Sequence, residues 1–226
     1  MMMTAREFRT RLARRGRKAG VVVHADLAST LWNYFELLFR WNRKINLTAF
    51  DGPDSAIDRL LIEPLLAARF FPPQSTRMLD VGSGGGSPAI PLKLALPGTA
   101  LVMVEPKARK SAFLREAVRL LDLRDTQVET ARFEELLARP DLHEALDIVT
   151  VRAVRVERNT LLSLQAFLKS GGRILLFRGG SGLEPTAEAA PPPLTLEGMH
   201  PLTPGSRLVI LGKRVPRGTM SLDGSP

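Results

Sequence analysis

The residues with the clearest chemical potential form a glycine-rich segment, Leu79-Asp80-Val81-Gly82-Ser83-Gly84-Gly85-Gly86-Ser87-Pro88. This segment lies where a short apolar strand pattern gives way to a helical pattern. Glycines at such a junction allow a tight turn and let the backbone approach a ligand closely, while the next helix presents unpaired amides. Glu105 follows 23 residues after Gly82 and ends the next strand pattern. An acid there can accept hydrogen bonds from both hydroxyls of a ribose, so this pair predicts a site for an adenosine-containing cofactor.

Two cofactor classes compete for this loop. A dinucleotide-binding fold has the pattern G-x-G-x-x-G, whose last glycine lets the helix pack closely on the strand. The sixth position here is Ser87. S-adenosylmethionine has no pyrophosphate, so a loop that binds it needs only to surround a methionine and a ribose, and Asp80 just before the loop also favours it. We therefore predict S-adenosylmethionine as the cofactor, with a nicotinamide cofactor or a glycine turn without a ligand as alternatives.

The composition excludes several kinds of site. The chain has 226 residues, no Cys and three widely spaced His residues. Without Cys there is no disulfide, thiolate zinc site or cysteine nucleophile, so covalent methylation of cytosine C5 is excluded. The separated His residues argue against a histidine metal cluster, and we predict no metal. No apolar run approaches the roughly 20 residues of a membrane helix. Because the basic N-terminus also lacks a signal core, we predict a cytoplasmic protein.

Positive charge is concentrated at the N-terminus. The chain carries 32 Lys and Arg against 23 Asp and Glu, a formal net charge of +9. Seven of the basic residues and one acid lie in residues 1–20, which hold a net +6 of that total. We predict that residues 1–20 form a flexible arm that binds phosphate backbones, with a solvated tail that has no partner as the alternative. The candidate RNA-binding residues of the arm are Arg14, Arg15, Arg17 and Lys18.

The rest of the chain supplies the elements that must position these residues. Residues 26–44 have apolar side chains at steps of three and four, which predicts a helix capped by Asp26. Residues 53–71 predict a second helix, kinked at Pro64. From Arg77 onwards, strand patterns alternate with helical patterns, which predicts a mostly parallel sheet covered by helices on both faces. The predicted domains are the arm 1–20, a helical extension 21–73, a core 74–216 and a tail 217–226.

Short segments then occur in an order that is typical of one enzyme family. They are WNRKINLTA at 41–49, the glycine-rich segment followed by AIPL at 89–92, KSAFLR at 110–115, FEEL at 133–136 and TVRAV at 150–154. With these segments the chain resembles the bacterial 16S rRNA guanine-N7 methyltransferases, the glucose-inhibited division protein B family. The glycine loop alone is shared by many methyltransferases, whereas the segments at 41–49 and 150–154 make this resemblance more specific.

The resemblance implies a fold, a reaction and a partner. The fold is α/β, of the Rossmann-like S-adenosylmethionine-dependent methyltransferase type, with about seven mostly parallel strands and an N-terminal helical extension. The reaction is methylation of N7 of one guanine in the 530 loop of 16S rRNA, and the partner is 16S rRNA or the small ribosomal subunit. N7 carries a lone pair and no proton, so the reaction needs no general base, and positioning supplies roughly 7–11 kcal/mol. Nothing implies an oligomer or a membrane partner, and we expect a monomer.

The resemblance also implies site residues. Arg152 is the candidate for positioning the cofactor or the guanine, with a structural salt bridge to Glu157 as the alternative. Asn46, Thr48 and Arg178 are further candidates for RNA binding. The predicted cofactor-binding residues are Gly82, Gly84, Ser87, Glu105, Pro106, Lys107, Phe133, Glu134 and Arg152.

The chain departs from the family pattern at several positions. A phenylalanine or leucine of the family is Ser87 here, and a glycine is Ala89. A histidine and an aspartate of the second helix are Leu60 and Glu63, and a lysine after the fifth strand is Arg178. Three alternative functions therefore stay open: a nicotinamide-dependent oxidoreductase, a methyltransferase for another RNA, a protein or a metabolite, and an RNA-binding protein without catalytic activity.

Overall fold

In the residues that the structure describes, seven strands form one sheet. The structure is a computed structural model that describes residues 3–49, 51–73, 76–154, 156–179 and 190–214, so the predicted tail lies outside it. The strands are β1 (Arg77–Val81), β2 (Ala100–Val104), β3 (Thr126–Glu129), β4 (Leu146–Arg152), β5 (Leu168–Gly179), β6 (Leu194–Pro201) and β7 (Ser206–Lys213). Their order is β3-β2-β1-β4-β5-β7-β6. The first five are parallel and β7 is antiparallel to both neighbours, which confirms the predicted α/β fold.

Helices cover both faces of this sheet. They are α1 (Ala5–Lys18), α2 (Ala25–Asn42), α3 (Pro53–Ile57), α4 (Glu63–Ala67), α5 (Ala89–Ala95), α6 (Ala108–Leu120) and α7 (Arg158–Gln165). A π-helical turn, Asp58–Ile62, joins α3 to α4. Short 3₁₀ helices span Ala68–Phe70, Phe133–Ala138 and Pro140–Leu142. No helix in the described ranges is both long and apolar enough to cross a bilayer.

Two apolar clusters hold these layers together, because successive side chains of a strand point to opposite faces. In β1, Met78 lies in the cluster that contains the buried residues of α1 to α6. Its neighbours Leu79 and Val81 lie in the other cluster, with α7 and the 3₁₀ helices at 133–142. The N-terminal helices therefore share one continuous core with one face of the sheet.

The prediction of a flexible N-terminal arm is wrong for residues 5–18. These residues form α1, which begins at a capping box between Thr4 and Glu7. Phe8 and Leu12 are fully buried, and the Phe8 ring lies 5.1 Å from the ring of Phe35 on α2. The prediction weighed the net charge and overlooked this apolar pair at a spacing of four residues, which places both side chains on one face of a helix.

The N-cap predicted for the helix at residues 26–44 is also wrong. The helix α2 begins at Ala25, and His24 occupies the N-cap position without a side-chain hydrogen bond. Asp26 lies within the first turn, where its negative charge complements the helix dipole instead of accepting the first amides. The apolar stripe of the helix is as predicted, with Leu31, Tyr34 and Leu38 buried.

Candidate active site

A cleft lies at the carboxyl ends of β1, β2 and β4. In the sheet, β1 stands between β2 and β4. The chain therefore runs from β1 to β2 and β3 on one side, and then crosses to β4 on the other side. Ligands of open α/β sheets bind at such a switch in strand order. The cleft has a volume of about 160 Å³. Its lining residues are Leu47, Thr48, Arg59, Leu60, Gly82, Ser83, Gly84, Gly85, Ser87, Glu105, Lys110, Arg152, Ala153 and Val154.

The glycine loop forms the floor of this cleft. Gly82 has φ +71° and Gly84 has φ +49°, a backbone conformation that side chains other than glycine rarely adopt. A Cβ atom at Gly82 would also lie 2.6 Å from Cγ2 of Val154, so the position has no room for a side chain. The amides of Gly82 and Ser83 both donate to the carbonyl of Val104, at 2.9 and 3.1 Å. These bonds tie the loop to the end of β2.

Glu105 connects the loop to the next helix. Its carboxylate is buried and accepts two backbone hydrogen bonds, from the amide of Gly84 at 3.0 Å and from the amide of Lys107 at 2.9 Å. Each carboxylate oxygen has a further lone pair, so both can still accept from a ligand. Glu105 therefore positions the loop and faces the cleft with acceptors left over, as a ribose-binding acid requires.

Asp80 gives an independent indication of a ligand. It is buried beneath the loop, and Oδ1 accepts a hydrogen bond from Oγ1 of Thr150 at 2.6 Å. Its Oδ2 is buried and has no hydrogen-bond partner in the described part of the chain. Burial raises the pKa of Asp80 to about 6, and the bond from Thr150 opposes this shift. A buried acceptor without a partner is costly, so Asp80, which lies beneath the loop and outside the lining of the cleft, favours a donor or a positive charge nearby.

Arg152 ends β4 and is held on three sides. Its Nη2 binds Oε2 of Glu63 at 2.8 Å, and its Nη1 donates to the carbonyl of Arg59. The guanidinium also lies 4.6 Å from the ring centroid of Phe177, a cation–π contact. The sequence alternative named Glu157 as the salt-bridge partner, whereas the ion pair that the structure shows is with Glu63. Arg152 nevertheless lines the cleft, so it combines a structural ion pair with a place in the site.

Pro64 explains why two carbonyls of the neighbouring helix are available. A proline has no N–H, so Pro64 cannot donate to the carbonyl of Leu60 four residues earlier or to that of Arg59 five residues earlier. The π-helical turn directly precedes it. Arg152 binds the first of these carbonyls, and Oγ of Ser87 donates to that of Leu60 at 2.9 Å. Ser87 thus contacts the helical extension from the end of the glycine loop, just before α5 begins at Ala89.

The remaining predicted cofactor residues lie beside the cleft and not in its lining. Pro106 and Lys107 follow Glu105 directly and are exposed. Phe133 is half-buried and Glu134 exposed, at the start of a 3₁₀ helix shortly after β3. All four follow strands whose carboxyl ends form the same edge of the sheet, and their contacts with a cofactor stay predictions.

The predicted RNA-binding residues of α1 fall into two groups. Arg14 binds Asp54, and Arg15 binds Asp58 through both Nε and Nη2. These ion pairs attach α1 to α3 and the π-helical turn, so the two positive charges already have partners within the chain. Arg17 and Lys18 are exposed at the end of α1.

The other RNA candidates have different surroundings. Thr48 lines the cleft, and Asn46 is exposed beside it. Arg178 is half-buried, and its Nη1 donates to the carbonyl of Val154 at 3.4 Å. Burial lowers the pKa of Arg178. Thr48 therefore lies in the cleft and Arg178 next to it, through Val154. Contacts of Asn46, Thr48 and Arg178 with RNA stay predictions.

Sequence reasoning missed two residues that shape the cleft. The hydroxyl of Tyr34 is buried on α2 and donates to the carbonyl of Gly85 at 2.6 Å. Oδ1 of Asn42 accepts from the amides of Leu47 and Thr48, at 2.8 and 2.9 Å. A signal for Tyr34 was present, because a tyrosine in an otherwise apolar stripe needs a partner for its hydroxyl.

Comparisons with known proteins agree on one family. A family model described as rRNA small subunit methyltransferase G, GidB, matches residues 27–202. A relative named "Ribosomal RNA small subunit methyltransferase G" from Roseiflexus sp. (strain RS-1) is 31% identical over 195 residues, 81% of this chain and 82% of that protein. A relative of the same name from Xylella fastidiosa (strain 9a5c) is 36% identical over 188 residues, 80% of this chain and 84% of that protein.

A solved structure supports the fold. The crystal structure of a SAM-dependent methyltransferase from Aquifex aeolicus superposes with a TM-score of 0.57, over 78% of this chain and 98% of that chain. The two sequences are 13% identical. At that identity the likeness concerns the fold alone, and it confirms the predicted Rossmann-like architecture.

Proposed function

The chain belongs to the GidB family of rRNA small subunit methyltransferases, and we propose that it methylates N7 of one guanine in the 530 loop of 16S rRNA. Its cofactor in this reaction is S-adenosylmethionine. One observation carries the proposal: the Glu105 carboxylate binds the amide of Gly84 and lines the same cleft as Arg152. A cofactor loop, a ribose-binding acid and a cationic side chain are thereby joined at the switch point of the sheet.

The residues of the cleft fit the cofactor. S-adenosylmethionine supplies a methyl group on a positively charged sulfur. Glu105 has free lone pairs for the ribose hydroxyls. Gly82 and Gly84 keep the loop free of side chains, and beneath the loop the buried Oδ2 of Asp80 has no partner among the described residues. The chain thus supplies acceptors and an open backbone, the features that a cationic nucleoside needs.

Methylation of guanine N7 requires no acid–base catalysis by the protein. N7 of guanine has a lone pair and no proton, so no side chain has to remove a proton. The work of the protein is to align the base and to exclude water. Arg152 is suited to alignment, because Glu63, the carbonyl of Arg59 and the ring of Phe177 hold its guanidinium in one place. We assign it as the positioning residue, and name no general base.

The helical extension completes the enclosure. Leu47, Thr48, Arg59 and Leu60 line the side of the cleft that faces the glycine loop. We place the protein in the cytoplasm, where its substrate is assembled, and expect it to act as a monomer on 16S rRNA or on the small ribosomal subunit.

The test is transfer of labelled methyl from S-adenosylmethionine to 16S rRNA that lacks its native modification, offered naked and as small subunits. Digestion and mass spectrometry then locate the product. We expect a single 7-methylguanine in the 530 loop. Cofactor binding without transfer to rRNA would contradict the proposal and favour another substrate. Calorimetric titration with a nicotinamide cofactor separates the oxidoreductase alternative, for which we expect no heat of binding.

A pair of glycine variants links this activity to the cleft. Gly84→Val introduces a β-branched side chain at φ +49° and should abolish cofactor binding. Gly98→Val is the matched control, because Gly98 lies in a turn with open space around its Cβ position. Equal cofactor affinity of the two variants would show that the glycine loop does not hold the cofactor.

A further inference from the structure

A second concave surface lies between the end of α2 and one face of α6. Its lining residues are Arg40, Trp41, Lys44, Ile45, Arg109 and Glu116, and its volume is about 450 Å³. We propose that this surface, the α2–α6 groove, binds the phosphate backbone of the RNA that flanks the target base. The inference rests on the proposed function, since it takes RNA as the substrate of the neighbouring cleft.

The charge of the groove favours an anionic ligand. Three lining residues are cations and one is an acid. The acid, Glu116, is already paired, because it accepts from Nε1 of Trp41 at 3.0 Å and from Nη2 of Arg40 at 3.2 Å. Lys44 and Arg109 are exposed, and no ion pair or side-chain hydrogen bond joins either of them to another described residue. The groove therefore presents two cations to solvent around a half-buried indole.

Helix stability does not account for Arg109. The first turn of α6 contains Arg109 and Lys110 and no acid. Cations near a helix N-terminus are unfavourable, because the unpaired amides there carry partial positive charge. Arg40 is different, since it lies in the last turn of α2, where a cation is favourable. Glu105 already accepts from the amide of Lys107, the N-cap of α6, but it is buried in the cleft. Arg109 thus sits where an isolated helix would disfavour it, with an exposed guanidinium that is available to a phosphate.

The groove and the cleft are neighbours along two chain segments. Ile45 lines the groove, and Leu47, two residues later, lines the cleft. Arg109 lines the groove, and the next residue, Lys110, lines the cleft. An RNA strand with its target base in the cleft therefore has cations of the groove beside its adjoining backbone.

The first experiment compares Arg109→Ala with Arg119→Ala. Both residues are exposed on α6, but Arg119 lies in the last turn and does not line the groove. Binding of each variant to unmodified 16S rRNA is measured over a series of salt concentrations. We expect Arg109→Ala to reduce the slope of log affinity against log salt by about 1, the loss of one phosphate contact. Arg119→Ala should keep the wild-type slope.

Thermal unfolding separates this effect from damage to the fold. Arg109→Ala removes a cation from the unfavourable end of α6, so its melting temperature should equal or exceed that of the wild type. Its KM for rRNA should rise while kcat and the affinity for S-adenosylmethionine stay unchanged. If Arg109→Ala keeps the wild-type salt slope, or if both variants have equal slopes, the proposal that the α2–α6 groove binds RNA is wrong.

A local optical signal gives a second readout. The chain has two Trp residues, and Trp32→Phe leaves Trp41 in the groove as the sole indole. RNA binding should change the fluorescence of Trp41. In the variant that also carries Arg109→Ala, this change should require a higher RNA concentration. If the wild type methylates rRNA but Trp41 does not respond, the groove is wrong and the proposed function stands. If the wild type neither binds nor methylates rRNA, both fall.

Discussion

The two walls of the cleft are built in different ways. The core wall consists of the glycine loop and Glu105, and hydrogen bonds from the backbone amides of the loop hold it over short sequence distances, such as the bond from Gly84 to the Glu105 carboxylate across 21 residues. The extension wall consists of Leu47, Thr48, Arg59 and Leu60. Side chains from distant parts of the chain attach it, including Arg152, which lies 89 residues from its partner Glu63. The core wall resembles a motif that folds locally, whereas the extension wall exists only in the assembled fold.

This difference suggests a division of labour. A wall set by its own backbone is suited to a cofactor that many methyltransferases share. A wall set by long-range side-chain contacts can change with the substrate while the loop stays intact. Removal of contacts from the core wall should therefore affect cofactor affinity, and removal of contacts from the extension wall should affect stability and turnover on RNA.

The largest effect is expected at Glu105. Glu105→Ala removes an acceptor for the ribose and leaves the amides of Gly84 and Lys107 unpaired. The two hydrogen bonds that the ribose hydroxyls donate to the charged carboxylate are worth about 1.5–3 kcal/mol each. Their loss should lower the affinity for S-adenosylmethionine by at least roughly 100-fold. Calorimetric titration with S-adenosylmethionine measures it. Glu36→Ala, an exposed acid on α2, is the control, and equal affinity of the two variants would contradict the role of Glu105.

The next effect concerns the ion pair of the extension wall. Glu63→Gln leaves the buried guanidinium of Arg152 without a counter-charge, which should lower the free energy of unfolding by about 3–5 kcal/mol. Urea denaturation measures it. Glu129→Gln breaks the more exposed pair with Arg139 and should cost less than about 1 kcal/mol. Cofactor affinity should change little in Glu63→Gln, and a large loss of that affinity would erase the distinction between the walls.

A pH dependence is expected beneath the core wall. The pKa of Asp80 is about 6 in the fold and about 3.9 in an unfolded chain, so the fold favours the protonated form. That stabilisation is complete below about pH 4 and is lost as the pH rises through 6. Asp80→Asn should therefore gain about 2–3 kcal/mol over the wild type between pH 4 and 6, measured by urea midpoints. Asp51→Asn, at an exposed acid, is the control. A difference between Asp80→Asn and the wild type that does not change with pH would contradict the raised pKa of Asp80.

The smallest effect tests the bond between the walls. Tyr34→Phe removes the hydroxyl that donates to the partly buried carbonyl of Gly85, at a cost of about 1 kcal/mol in stability. Because the loop loses a restraint, the affinity for S-adenosylmethionine should also fall severalfold. Ser29→Ala, on the exposed face of α2, is the control. A stability loss without any change in cofactor affinity would show that Tyr34 supports the core and not the loop.

The same difference between the walls governs what the sequence could predict. The glycine loop and Glu105 were predictable, because strand, turn and acid follow one another with characteristic spacing. The place of Arg152 at the cleft was predictable, but its partner Glu63 was not, because only the folded chain brings them together. Tyr34 was missed for the same reason, since its acceptor lies 51 residues away. The packing of α1 was missed because its charge outweighed one apolar pair.

Pro64 has a consequence for attempts to improve the protein. A proline inside a helix is an obvious target for replacement by alanine, which restores an amide and gains roughly 3 kcal/mol of helix propensity. Here the restored amide would compete with Arg152 and Ser87 for the carbonyls of Arg59 and Leu60. The more regular helix would loosen two attachments of the cleft. Replacement of Pro64 would therefore raise thermostability at the expense of activity. Any such design should keep Pro64 unchanged.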